Sequence, residues 1–382
     1  MHTLSRPVYK EEHEMYRDAV RRFIAAEITP YHRQWEEDGV VSREVWLKAG
    51  AAGFLCSNAP HQFGGAGADY TYNAVFTEEL GYAGATGPGF AVHSDMAANY
   101  ILNFATDEQK QRWIPGMVSG ERIVALGLSE PGAGSDLKAI KTTAVRDGED
   151  YIINGQKTYI SNGQLADIVI LACKTDPAAG ARGMTFIVVE TDRPGFVRGR
   201  KLEKFGLLAQ DTSELFFSDV RVPVANRIGA EGQGMAIAVH NLAEERLSIA
   251  VHAIGMCKGM LDTTIAYTKE RMIFGKPVAD FQNTRFKIAE MAASTQAIQV
   301  FVDRCVELAV TRDLDIETAA MAKMLAGELQ WRIADECLQF YGGAGYMMEY
   351  PIAHAFIDSR IRKIAGGSSE VMREIIARKV FA

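Results

Sequence analysis

The sequence predicts an α+β protein that is helical, then β, then helical again. Three observations carry this. Apolar residues recur at helical spacing up to about Gly120, short β-branched and aromatic runs fill the stretch from Ile123 to about Ile228, and long amphipathic helical patterns return from Gly232. Domains are therefore expected over residues 1–120, 121–231 and 232–382.

In the first segment Ala19, Phe23, Ile24 and Ile28 share a helical stripe, and Phe76 with Leu80 and Ala98 with Ile101 repeat the spacing. Glycine-rich connectors such as Gly64-Gly65-Ala66-Gly67 separate the helices. In the second, Tyr151-Ile152-Ile153, Ile168-Val169-Ile170-Leu171, Thr185-Phe186-Ile187-Val188-Val189 and Leu215-Phe216-Phe217 read as strands. Asn154-Gly155 and Asp176-Pro177 read as tight turns, giving an antiparallel barrel or sandwich. The third segment is helical, broken at Gly342-Gly343 and Gly366-Gly367.

Composition narrows the function. A hydrophobic fraction of 48% and a charged fraction of 23% belong to an ordinary globular chain, and a net charge of -7 gives no global support for nucleic-acid binding. Five scattered cysteines without a C-x-x-C pair argue against a disulfide framework and a zinc site, and no metal is expected. No apolar signal core precedes Lys10-Glu11-Glu12, and no apolar run is long enough to span a bilayer, so a soluble, cytoplasmic protein is expected.

One helix carries unusual charges. On the pattern that begins near Gly234, Val239, Leu242, Ile249, Ala253 and Met256 form an apolar face, and Glu245 and Arg246 fall within it. Glu244 projects to the opposite side with His240 and Ser248. Ionisable groups on a buried stripe are costly unless paired or functional. A structural Glu–Arg arrangement and a catalytic carboxylate both account for the pattern.

Two motifs lie far apart. Leu128-Ser129-Glu130-Pro131-Gly132-Ala133-Gly134-Ser135-Asp136 follows the apolar run Ile123 to Leu126 and is not a Rossmann fingerprint. Gln339-Phe340-Tyr341-Gly342-Gly343-Ala344-Gly345-Tyr346 leads to Arg360-Ile361-Arg362-Lys363-Ile364-Ala365-Gly366-Gly367-Ser368-Ser369-Glu370. Together they resemble the two signature segments of the acyl-CoA dehydrogenase family, and the likeness covers nearly the whole chain.

That resemblance, strongest to the long-chain branch, implies a C-terminal four-helix bundle and an FAD enzyme that desaturates a saturated acyl-CoA to the trans-2-enoyl-CoA. Many members carry their base where this chain has Gly366. The long-chain and isovaleryl branches carry it instead immediately before an arginine, which is the position of Glu245. Leu126, Leu128 and Ser129 would lie along the flavin, Ser135 where flavin and substrate meet, and Tyr159-Ile160-Ser161 over the ring. Arg271, Phe274, Gln282, Gln339, Gly342 and Gly343 would contact the FAD of a neighbouring subunit, making the protein a homodimer or homotetramer. Ser368 and Glu370 would add flavin contacts from the last helix, ordinary capping residues by themselves.

On the substrate side the resemblance names Arg246, the turn Gly366-Gly367, and Gly89 in Gly87-Pro88-Gly89, where glycine would deepen the acyl pocket. The Gly366 amide would polarise the thioester carbonyl, and an electron-transfer flavoprotein would reoxidise the flavin. His354 receives no role. The alternatives are a flavin oxidase or monooxygenase on the same fold, and a non-catalytic acyl-CoA-binding member.

Overall fold

The computed structural model describes residues 4–382 of the chain. It opens with α1 (Glu11–Phe23), α2 (His32–Asp38), α3 (Arg43–Ala51), α4 (Tyr70–Tyr82), α5 (Ala98–Phe104) and α6 (Asp107–Val118). Asp69 caps α4 by accepting from the Thr71 amide, and a reciprocal Thr106–Gln109 capping box starts α6. A π-helical turn, Val92–Ala97, leads into α5 and carries His93 and Asp95 inward.

The middle segment comprises β1 (Val124–Gly127), β2 (Thr143–Asp147), β3 (Asp150–Ser161), β4 (Ile168–Lys174), β5 (Met184–Glu190), β6 (Phe196–Lys201), β7 (Thr212–Pro223) and β8 (Arg227–Ile228). Their order is β6-β7-β3-β2-β4-β5-β8, with β1 beside β4. Pairing is antiparallel except that β1 runs parallel to β4, with one parallel contact between β2 and β4. Strands β4 and β5 are buried on both faces. Ile168, Ile170, Phe186 and Val188 pack on Tyr100, Trp113 and Ile114, while Val169, Leu171, Ile187 and Val189 face Tyr151, Leu215 and Val220. That explains their unbroken apolar runs.

Asn154-Gly155 is not a turn. Strand β3 runs straight through it, with a register shift between Ile153 and Gly155. The Asn154 amide and Asp219 bond each other across to β7, and a Cβ on Gly155 would lie 2.5 Å from the Thr142 hydroxyl. The glycine therefore permits close approach within a sheet, while the tight turn falls at Gly148.

Helices α7 (Gly234–Glu270), α8 (Gln282–Val310), α9 (Ile316–Tyr341), α10 (Pro351–Ser359) and α11 (Ser369–Val380) complete the chain. Leu247, Ile254, Leu261, Val302, Val306, Leu329 and Ile333 form their shared core. The N-terminal helices join it. Glu78 on α4 binds Arg6 at 2.8 Å and Lys258 of α7 at 2.6 Å, and Arg6 also reaches Asp303 of α8. Helix α7 has no broad polar face, because every residue from Glu245 to Cys257 is buried. Val239, expected on the apolar face, is 46% exposed near the helix start, whereas Ser248, expected on the polar face, is 1% exposed.

Glycines set the separation of α4 and α7. A Cβ on Gly255 would sit 2.2 Å from the Glu78 carbonyl, one on Gly259 2.1 Å from that of Tyr82, and one on Gly81 2.4 Å from that of His252. Alanine is the better helix former by about 1 kcal/mol. Here the colliding atoms are backbone and cannot turn aside. Gly255→Ala should therefore lower stability by on the order of 2 kcal/mol, read from urea or thermal unfolding. A raised midpoint would show that the two helices part easily.

Candidate active site

The centre of the site is Glu245. It is 5% exposed, and one carboxylate oxygen accepts a 3.1 Å hydrogen bond from the Tyr100 hydroxyl of α5. Burial pushes its pKa up to about 7, against the opposing pull of Tyr100 and then Arg246. Arg246 is 3% exposed, and its Nε and Nη1 have no partner among the described residues. No close Glu245–Arg246 pair forms, so the arrangement is not a structural ion pair.

Glu244 does not face solvent. It is half-buried, its carboxylate accepts from the Asn99 amide at 3.0 Å, and burial raises its pKa. Ser248, one turn on, donates to Asp95 at 2.6 Å, and Asp95 also accepts from Asn73 and Thr77. The supposed polar face of α7 is thus a buried polar seam against α4 and the π-turn.

Above α7 lies the turn Gly366-Gly367. Both glycines are left-handed, with φ of 68° and 95°, and neither amide donates to a group among the described residues. A Cβ on Gly366 would lie 2.3 Å from Ile249 Cδ1, so a side chain of α7 fills the space where others of the resembled family carry a carboxylate. Beyond the turn, the Ser368 hydroxyl caps α11 by accepting from the Val371 amide at 3.4 Å, and Glu370 is exposed in its first turn.

A second group of residues gathers between β1 and β3. Leu126, Leu128 and Ser129 are half-buried, and Ser135 is exposed. The Thr158 amide donates to the Ser129 carbonyl at 3.0 Å, joining loop to strand. A bulge after Lys157 puts Tyr159 at φ 60° with 71% of it exposed, while Ile160 points inward and Ser161 is half-buried. A tyrosine held left-handed and left in solvent is strained and unpacked, a combination typical of ligand contacts.

The loop is fixed by a pair that sequence reasoning missed. Lys157, fully buried, donates to Glu130 at 2.7 Å and to the Leu128 carbonyl at 3.1 Å. Glu130 also accepts from the amides of Lys141 and Thr142. Burial alone would raise the Glu130 pKa, but Lys157 and these amides hold it below the usual range. A lysine in a strand with apolar inward neighbours was the available signal.

Arg271, Gln339, Gly342 and Gly343 line one cleft of about 390 Å³ with Asn283 and Thr284, the residues next to Gln282. Tyr267 stacks on Tyr341 at its wall, ring centroids 3.9 Å apart. Phe274 stands nearby on the loop after α7, left-handed and 92% exposed. These residues lie on the far part of the C-terminal helices and contribute nothing around Glu245.

Gly89 does not open a cavity. The space beside it holds the Asn162 amide, whose oxygen would be 1.9 Å from an added Cβ and whose nitrogen donates to the Gly89 carbonyl. His93 is equally committed. Its Nδ1 accepts from the Val124 amide and its Nε2 faces the Met117 carbonyl at 3.0 Å, while burial lowers its pKa to about 4. Glycine here admits a neighbouring side chain and not a longer ligand. His354 lies between Glu36 and the Met348 carbonyl, away from Glu245.

Comparison with known proteins assigns the chain to a class. Models of the acyl-CoA dehydrogenase N-terminal, middle and C-terminal domains match residues 10–121, 125–220 and 232–381. The chain belongs to the acyl-CoA dehydrogenase family of oxidoreductases. It is 46% identical over 377 residues to the mitochondrial long-chain specific acyl-CoA dehydrogenase of Mus musculus, covering 98% of this chain and 88% of that one. An acyl-CoA dehydrogenase of Geobacillus kaustophilus superposes with a TM-score of 0.97 at 44% identity, covering 99% and 100% of the two chains. A glutaryl-CoA dehydrogenase of Mycobacterium smegmatis, solved with FADH2, gives 0.92 at 28% identity over 98% and 95%.

Lys157→Met should cost roughly 3–5 kcal/mol, because it leaves the Glu130 carboxylate buried without its cation. Adding Glu130→Gln to that variant should recover part of the loss, since no charge then remains buried. Chemical denaturation of the single and double variants measures both steps. Equal stability of the two would show that the pair does not hold the loop.

Proposed function

We propose that the protein is an FAD-dependent acyl-CoA dehydrogenase that removes hydrogen from the α and β carbons of a long-chain or branched acyl-CoA, with Glu245 as the base. The observation that carries this is a carboxylate that is nine-tenths buried, lifted toward neutrality and free of an ion-pair partner. An α-proton of a thioester is weakly acidic, so the base that takes it must be desolvated and close to the working pH in pKa. Two unused amides on a left-handed glycine turn suit the thioester oxygen as it gains charge.

The exposed, strained Tyr159 ring and the half-buried Leu126, Leu128 and Ser129 fit the flat ring of a flavin. When bound, FAD supplies the acceptor for the β-hydride. Glu245 holds the α-proton once abstracted, Tyr100 orients the carboxylate, and the buried surroundings exclude water from it. The cleft of Arg271, Gln339, Gly342 and Gly343, with exposed Phe274 beside it, suits the FAD of a second subunit in a homodimer or homotetramer. An electron-transfer flavoprotein is the proposed acceptor of the electrons. No helix among the described residues is long and apolar enough to cross a membrane.

Anaerobic titration with an acyl-CoA series tests this reading. Bleaching of the flavin band by long-chain substrates supports it, and a holoprotein that no acyl-CoA bleaches removes it. Glu245→Gln should slow flavin reduction by roughly two to four orders of magnitude.

The ionised carboxylate is the base, so the wild-type rate should rise as pH climbs through about 7. Tyr100→Phe removes a donor that favours the ionised form, and the rise should move to higher pH. The native state also holds the Glu245 proton more tightly than the unfolded chain does. Between the ordinary carboxylate range and about 7 the residue thus destabilises the fold increasingly as pH rises. Glu245→Gln should gain on the order of 3 kcal/mol at pH 8 and little at pH 5, as thermal unfolding at both values would record.

A further inference from the structure

Lys323 has no place in the chemistry so far, and its setting is expensive. It lies on α9 inside the helical bundle, fully buried, with its ammonium 2.5 Å from the Gly367 carbonyl oxygen. The charges that bear on it most are cations, Arg246 and Arg362, followed by weaker influences of Glu328 and Glu370. Glu328 is itself taken by Lys363 at 2.6 Å and Arg373 at 3.2 Å.

Arg362 offers no relief, because its Nη2 reaches the His252 ring at 3.0 Å and its Nε has no partner among the described residues. A leucine or methionine would fill this volume without placing an unpaired ammonium among other cations. What the lysine provides is one donor to Gly367 and one positive charge behind the turn.

We propose that Lys323 is a positioning residue for the reaction. It grips the Gly367 carbonyl from within the bundle, fixes the left-handed Gly366-Gly367 turn, and so keeps the Gly366 amide aimed at the thioester oxygen. With Arg246 and Arg362 it also sets positive charge behind the point where that oxygen becomes electron-rich. The proposal rests on the dehydrogenase reading above. It follows from a constraint of the turn itself, since two consecutive glycines in left-handed conformations have no side chains to hold them. An anchored carbonyl removes the freedom that the glycines introduce, and preorganised donors are effective only when they need not reorganise.

The test compares wild-type, Lys323→Met and Lys323→Gln holoenzymes by stopped-flow flavin reduction. It also follows the absorption of a bound aryl-conjugated unsaturated acyl-CoA, whose band moves to the red when its carbonyl is polarised. The limiting reduction rate should fall roughly 10- to 100-fold in Lys323→Met, less than for direct loss of a donor, with acyl-CoA affinity changed less than about threefold. The red shift should shrink in parallel. Lys323→Gln keeps a donor without the charge and should lie between, and it serves alone if the methionine variant does not fold. A lysine that only caps a buried carbonyl would lower the unfolding midpoint and leave rate and red shift at wild-type values. That outcome overturns the proposal while the dehydrogenase reading stands. A wild-type holoenzyme showing neither bleaching nor red shift overturns both.

Discussion

The structure depends on the burial of the middle of α7 on every side. From Glu245 to Cys257 every residue of this helix is buried, so its polar groups need partners on other elements, and only Arg246 keeps guanidinium nitrogens without one among the described residues. Tyr100 answers Glu245, Asp95 answers Ser248, Asn99 answers Glu244 and Arg362 answers His252. These partners come from α5, the preceding π-turn and the segment after α10. The N-terminal helices are therefore part of the surroundings of α7, brought to backbone contact by Gly81, Gly255 and Gly259. Packing and polar satisfaction are the same constraint here.

Burial alone does not decide how a carboxylate behaves. Glu78, Asp95 and Glu245 are all nearly inaccessible, yet they differ. Glu78 meets Arg6, Lys258 and Arg17, and their attraction outweighs desolvation and holds its pKa low. Asp95 meets only hydroxyls and an amide, which do not offset desolvation, and it rises to about 6. Glu245 has one phenol and a weaker pull from Arg246, which do not offset desolvation, and it rises to about 7. The company a carboxylate keeps separates a structural anchor from a group able to take a proton.

Much of this was legible in the sequence. The helical, β, helical order followed from periodicity, and Glu245 stood out because a carboxylate fell on an apolar stripe. The faces of α7 were harder. A projection assumes that one side meets solvent along the whole helix, and it assigned His240, Glu244 and Ser248 to that side; His240 is exposed, whereas from Glu245 to Cys257 α7 is covered all round. Asn154-Gly155 misled for a related reason, since the dipeptide suits a turn and also a bulge, and only the partners Thr142 and Asp219 distinguish them. Gly89 looked like room for a ligand because sequence does not reveal that Asn162 fills the gap. Tyr100, Lys157 and Lys323 could be seen only through contacts made across the fold.

Gly366 taken alone suggests a lost activity, and Glu245 taken alone suggests a buried ion pair. Their geometry joins them. A side chain at 366 would collide with Ile249, which lies one turn beyond Glu245 on the same helix and fills the volume beside the turn. On the reading proposed above, moving the base from the turn to α7 is therefore more than relocating one carboxylate. The vacated position is left-handed, which favours glycine, and Ile249 Cδ1 takes up the space beside it; the glycines then need an anchor, and the new carboxylate needs a neutral donor so that it is oriented without being neutralised. Ile249, Lys323 and Tyr100 meet these needs in turn, which makes the site a set of mutually dependent residues and not a single substitution.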